Sequence, residues 1–271
     1  MRVPATKHFF SAEDQTFIIE RFKDILQGNS FLSMYKYGEE FETKFSEYIG
    51  TKEAVACSSG TSALELIFES LNVRGKEVIV PSNTFIATVI AIRNAGGLPV
   101  FADCNDEMCL DYKSAISKVT HRTAAICVVH IGGIVSESVI KLKSYCEGNN
   151  LYLVEDAAQA HGSSLNGIKA GNFGTAADFS FFSTKVMTTG EGGMVTTNSQ
   201  KLVEKMKSMR EFGKVKTEIY INYHKYFGYN WRMPEVSALM GIRQLKSLEK
   251  FITRRRQIAR IYDGELAGIS D

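Results

Sequence analysis

Between residues 53 and 198, short apolar runs alternate with longer segments of helical spacing. The runs lie at 53–57 (EAVAC), 77–80 (EVIV), 98–102 (LPVFA), 124–130 (AAICVVH), 151–156 (LYLVED), 177–183 (ADFSFFS) and 193–197 (GMVTT). Val, Ile and aromatic residues dominate them and charges are few, the pattern of strands buried on both faces of a mainly parallel sheet. Helical candidates fall between them at 61–71, 85–95, 112–119, 136–148 and 201–211, and two more precede them at 12–27 and 39–49. After Arg232 a long amphipathic segment places Ile242, Leu245, Leu248, Ile252, Ala259 and Tyr262 near helical spacing. The alternation predicts an α/β fold, a three-layer α/β/α large domain built on a mainly parallel seven-stranded sheet. The expected organisation is an N-terminal segment and large domain over 1–240, followed over 241–271 by a long linking helix and the start of a truncated small C-terminal domain.

Composition narrows the function classes. The chain has 271 residues, 44% hydrophobic and 23% charged, and a net charge of +2 from 32 basic and 30 acidic side chains. No field of one sign points to nucleic acid or to an acidic membrane surface. The one basic run, Arg254 to Arg256, sits in the helical pattern and reads as a solvated face. Cys57, Cys104, Cys109, Cys127 and Cys146 are odd in number, scattered and free of CxxC pairs, so neither a metal site nor a disulfide framework is expected. Cys57 and Cys127 read as small core residues. No apolar stretch reaches the roughly 18 residues of a membrane span, and charges interrupt the N-terminus where a signal peptide would be apolar. A reducing, cytoplasmic setting is expected.

Four segments then place polar groups at the carboxyl ends of predicted strands, where open α/β sheets bind ligands. Ser58, Ser59, Gly60, Thr61 and Ser62 read either as a plain helix cap or as a phosphate cradle at a helix N-terminus. Neither a Walker A loop nor GxGxxG occurs, which weighs against a nucleotide-binding loop of those kinds. Phe85, in PSNTF after the second strand, is either core or a face for stacking on a planar ring. Asp156 ends a buried strand, where a carboxylate is costly without a partner; an acidic helix cap and a protonated pyridine nitrogen both answer that need. Lys185 follows an apolar strand and meets the glycine-rich TTGEGG. It is either a snorkelling strand-end lysine or a partly desolvated amine suited to imine chemistry. Together the four could supply a phosphate cradle, a stacking ring, a carboxylate for a pyridine nitrogen and a lysine for an aldehyde.

Six ordered motifs carry a family resemblance: EEFETKFSEYIG (39–50), SSGTSAL (58–64), PSNTFIAT (81–88), VEDAAQAHGS (154–163), FSFFSTKVMTTGEGGMV (179–195) and GYNWRMPEVSALMGIRQL (228–245). With them the chain resembles the DegT/DnrJ/StrS family of pyridoxal 5′-phosphate (PLP)-dependent nucleotide-sugar aminotransferases, of the aspartate-aminotransferase-like fold. The resemblance implies that Lys185 is the Schiff-base lysine and proton shuttle, Asp156 the partner of the pyridine nitrogen, and Gln159 the neighbour of the ring 3-hydroxyl. It implies Phe85 as the ring-stacking residue, Gly60, Thr61 and Ser180 as phosphate ligands, and Asn230 as a ligand to the phosphate of the neighbouring subunit. A homodimer with shared active sites follows, with an amino-acid donor, usually L-glutamate, and a nucleotide-linked keto sugar as acceptor. The family's sugar 3-dehydratases carry histidine in place of the lysine, and Lys185 argues against that branch. Two departures stand out. His130-Ile131-Gly132-Gly133-Ile134-Val135 replaces the family's H-[LI]-x-G-x-x-A-[DN] pattern, and relatives continue into a tail that completes the small domain. A truncated, non-catalytic PLP-binding remnant is the alternative reading.

Overall fold

The computed structural model describes residues 6–215, 217 and 223–268; the first five and last three residues of the expected domains lie outside them. Two helices open the chain, α1 (Ala12–Leu26) and α2 (Lys36–Ile49). The alternating region follows as β1 (Glu53–Cys57), α3 (Gly60–Ser70), β2 (Glu77–Pro81), α4 (Ile86–Asn94), β3 (Leu98–Ala102), α5 (Tyr112–Ser117), β4 (Thr123–Val129), α6 (Ser138–Gly148) and β5 (Tyr152–Asp156). A short hairpin, β6 (Ser164–Leu165) and β7 (Ile168–Lys169), leads to β8 (Ala176–Ser180), β9 (Gly193–Thr197) and α7 (Gln200–Met209). A second small pair, β10 (Lys214–Val215) and β11 (Tyr223–His224), precedes α8 (Glu235–Leu266).

The seven long strands form one sheet in the order β1-β9-β8-β5-β4-β2-β3, with β9 antiparallel to both its neighbours and the other pairings parallel. Alternate residues of each strand feed opposite faces, as pleating requires. In β1, Val55 and Cys57 join the core under α3 and α7, while Ala54 and Ala56 join the one under α2 and α8. The expected α/β/α sandwich with a seven-stranded, mainly parallel sheet is therefore present.

The α2 face is set by aromatic packing. Tyr37, Phe41, Phe45 and Ile49 recur every four residues and are buried. Phe45 meets Phe179 edge-on at 4.9 Å and Phe181 at 5.5 Å, and Phe41 lies 5.2 Å from Phe181. Burying a phenylalanine of this kind contributes roughly 1.5–3 kcal/mol. These rings fix the register of β8, so that Asp178 and Ser180 face the other way, toward α3. The strand ends at Ser180, earlier than the expected 183, because the chain turns at Phe181. Lys185 therefore sits on a turn beyond the strand and not at its end.

Helix α8 runs continuously through residue 240, where the sequence pattern placed a domain boundary. Its first half is buried against α1 and α2, and the stretch from Thr253 onward is exposed, including Arg254 to Arg256. Among the described residues, no helix is long and apolar enough to cross a membrane.

Candidate active site

The carboxyl ends of β4, β5 and β8 and the N-terminus of α3 converge on a cavity of about 480 Å³. Seven of the eight site residues expected from the sequence line it: Gly60, Thr61, Phe85, Asp156, Gln159, Ser180 and Lys185. The eighth, Asn230, is exposed and outside the cavity lining, paired with Glu211 in an isolated bridge.

The α3 end is built as an anion cradle. Ser59 caps the helix, its hydroxyl accepting from the Ser62 N–H while the Ser62 hydroxyl accepts from the Ser59 N–H. Helical geometry leaves the first-turn N–H groups of Gly60 and Thr61 without intrahelical acceptors, at the positive end of the helix dipole. Glycine at position 60 is enforced by contact: a Cβ there would lie 2.8 Å from the Ser180 Cβ. The helix N-terminus and the Ser180 hydroxyl thus share one small space, as a phosphate needs.

Asp156 is held rigidly at the end of β5. Its Oδ2 accepts from the Thr88 hydroxyl at 2.6 Å, which is hydrogen-bonded in turn to Thr84, and its Oδ1 accepts from the Ala158 N–H at 3.2 Å. The neighbouring Glu155 points the opposite way. It is fully buried and accepts from the backbone N–H groups of Gly171, Phe173 and Gly174 and from His130 Nε2, all within 2.9 Å. Glu155 is thus the anchor that ties the loop after β7 to the end of β4, and of these two neighbours only Asp156 faces the cavity.

The 131–133 segment, which departs from the family pattern, forms a short 3₁₀ turn with Gly132 and Gly133 at positive φ. The Gly132 N–H donates to Gln159 Oε1 at 2.8 Å. Because a backbone N–H can only donate, this bond fixes which end of the Gln159 amide is oxygen, and leaves the NH₂ as its donor toward the cavity.

The Lys185 turn is pinned by its own sequence. The Phe181 carbonyl accepts from the Thr188 hydroxyl and the Thr189 N–H, the Lys185 N–H donates to the Phe182 carbonyl, and Gly190 reverses the chain at φ 82°. Lys185 is half-buried. Behind it His161 lies against Phe179 and Phe181; burial first, then the charge of Lys185, hold its pKa down at about 3, so the ring is neutral. Phe85 caps α4 at the cavity rim and is 69% exposed, so it is no part of the core.

Sequence reasoning missed Thr88, His130 and Asp178. Thr88 had a signal in its i, i+4 spacing from Thr84. Asp178 was the one charge inside the apolar run ADFSFFS, a placement that calls for explanation.

Comparison with known proteins places the chain in a family. The model of the DegT/DnrJ/EryC1/StrS aminotransferase family matches residues 12–271. GDP-perosamine synthase of Vibrio cholerae is 39% identical over 248 residues, covering 91% of this chain and 67% of that protein. Helicobacter pylori PseC, an aminotransferase involved in the biosynthesis of pseudoaminic acid, superposes with a TM-score of 0.91 at 29% identity, over 98% of this chain and 71% of that one. Spr1654 of Streptococcus pneumoniae, solved in a PLP form, superposes with a TM-score of 0.87 at 26% identity, over 99% of this chain and 72% of that one. The chain spans about two thirds of the length of the curated relatives it matches.

Proposed function

Because the chain belongs to the DegT/DnrJ/EryC1/StrS aminotransferase family, we propose that it is a PLP-dependent aminotransferase. It moves an amino group from an amino acid, L-glutamate, to a keto sugar carried on a nucleotide. The observation that carries this reading is the meeting of Lys185, Asp156, Gln159, Phe85 and the Gly60–Thr61–Ser180 cradle on one cavity. The cradle also passes a test of fit, since the contact of Gly60 with Ser180 excludes a side chain where a phosphate would approach the helix N-terminus.

When bound, PLP supplies an electron sink for the charge left on the substrate carbon as its proton departs. The chain supplies the rest. Gly60, Thr61 and Ser180 hold the phosphate, Phe85 covers one face of the ring, and Asp156 keeps the ring nitrogen protonated. The Gln159 NH₂ donates toward the ring hydroxyl. Lys185 Nζ is the amine that would bind the cofactor aldehyde, and it would carry the substrate proton as general base and then general acid. Asn230, exposed and outside the lining of its own cavity, reaches the phosphate of a second copy, so the working unit is a homodimer.

Titration of the purified protein with PLP tests this reading. Wild type should develop the absorbance band of lysine-bound PLP, glutamate should shift it, and Lys185→Ala should abolish it. A band that ignores glutamate would mean cofactor binding without turnover, and absence of any band would refute the cofactor assignment.

A further inference from the structure

Asp178 lines the same cavity and has no place in the roles above. It is fully buried, and neither carboxyl oxygen meets a hydrogen-bond partner on any other described residue. It also enters none of the ion pairs among the described residues. Such a group is costly in a folded core and is expected to be kept only for a use.

Its position suggests the use. Asp156 and Asp178 are register partners across the parallel pair β5 and β8, so their side chains leave the sheet on the same face, toward the cavity. Asp156 has two donors and Asp178 has none, so the negative charge belongs on Asp156 and the proton on Asp178. The titratable groups around Asp178 are Asp156 and Glu155 on β5, Cys127 on β4, Cys57 on β1 and Lys185 on the turn after β8. Of these only Lys185 is cationic. Burial first, and the charge of Asp156 second, push the Asp178 pKa well above the carboxylate range, with Lys185 pulling the other way.

Resting on the PLP reading of this cavity, we propose that Asp178 is the proton store of the cofactor site. It is a neutral acid while no cation faces Asp156, and it yields its proton to the ring nitrogen as the cofactor settles. The O–H bond of the Asp178 carboxyl breaks and an N–H bond forms on the ring, either directly or by way of Asp156. The new cation then stabilises both carboxylates, which is what shifts the proton. Binding therefore draws no proton from solvent for the ring, at the standing cost of a buried acid in the protein without cofactor.

Calorimetric titration with PLP at pH 8, in two non-amine buffers of different ionisation heat, counts the protons exchanged. Asp178→Asn is expected to take up about one more proton from solvent than wild type on binding, and its affinity to fall behind wild type as pH rises. Denaturation of the cofactor-free proteins supplies the second arm. A raised pKa in the folded state means that native Asp178 keeps its proton while the unfolded carboxyl, with a pKa of about 3.9, loses it. Wild-type stability should therefore fall relative to Asp178→Asn as pH rises above about 4. Asp178→Ser, smaller and also neutral, should repeat both results. Equal proton counts in wild type and Asp178→Asn would overturn the proposal and leave the cofactor assignment standing. A wild type that takes no PLP would overturn both.

Discussion

The cradle depends on a single hydrogen atom at position 60. Any larger group on that Cα meets the Ser180 side chain, and Ser180 cannot retreat because Phe179 and Phe181 on either side of it are locked into the α2 core. Gly60→Ala should therefore displace the α3 N-terminus from the phosphate position. An overpacked contact of this kind costs about 1–3 kcal/mol. The expected result is a rise in the PLP dissociation constant of about tenfold or more, equivalent to ~1.4 kcal/mol. The far-UV spectrum should be unchanged, because α3 is capped by Ser59 and Ser62 independently. Absorbance titration checks it, and an unaltered dissociation constant would remove the phosphate from this turn. At this scale the sequence was legible where a motif carries the residue. Lys185 beside its glycine-rich turn and Gly60 between hydroxyl residues each kept two readings on residue type alone, and the resemblance of the surrounding motifs singled them out. Asp178 was not singled out, because its meaning comes from lying opposite Asp156 across a strand pair, and strand order is not written in local spacing.

Elements are joined by carboxylates that serve another element's backbone. Glu235 is the first residue of α8, fully buried, and its Oε1 accepts from the Tyr35 and Gly38 N–H groups while its Oε2 accepts from Tyr37. The residue before α2 offers no side-chain cap, so a glutamate nearly two hundred positions away serves as one. Glu235→Ala would leave three N–H groups short of their acceptor; a hydrogen bond to a charged group contributes about 1.5–3 kcal/mol net, and water entering the vacated space recovers part of the loss. A net loss of roughly 3 kcal/mol is expected, read as a drop in denaturant midpoint. Glu235→Gln should lose less, since one oxygen still accepts. A neutral Glu235→Ala would show that solvent replaces the cap. The expected helices and strands lie within a few residues of those observed, since apolar periodicity reports burial directly. The β6–β7 hairpin was not among the expected elements, although Asn166-Gly167, both at positive φ, is the two-residue turn such hairpins favour. The Glu235 cap was invisible, because nothing in EVSALM distinguishes a surface glutamate from a buried one.

For the molecule as a whole, the proposed homodimer turns on two observations. Apolar side chains beside the cavity are uncovered, with Phe85 at 69%, Ile86 at 58% and Ile90 at 42% exposure on and before α4. Such a cluster is the kind of surface a second copy covers. Asn230 is exposed and does not line its own cavity, and the proposed homodimer has it reach the phosphate in the partner's site. Ile90→Asp is therefore expected to shift the protein from dimer to monomer in sedimentation and to weaken PLP binding with it. Mixing variants is the sharper test. Lys185→Ala subunits keep Asn230 but lose the lysine, and Asn230→Ala subunits do the reverse. In a two-fold dimer formed from an equal mixture, half the dimers are hybrids, and each hybrid contains one site with both residues intact. About one quarter of the sites in the mixture should then bind PLP with wild-type affinity, although neither parent does. Binding equal to the mean of the two parents would show that Asn230 acts within its own subunit or not at all. Recovery would establish that the cofactor site is divided between two copies of the chain.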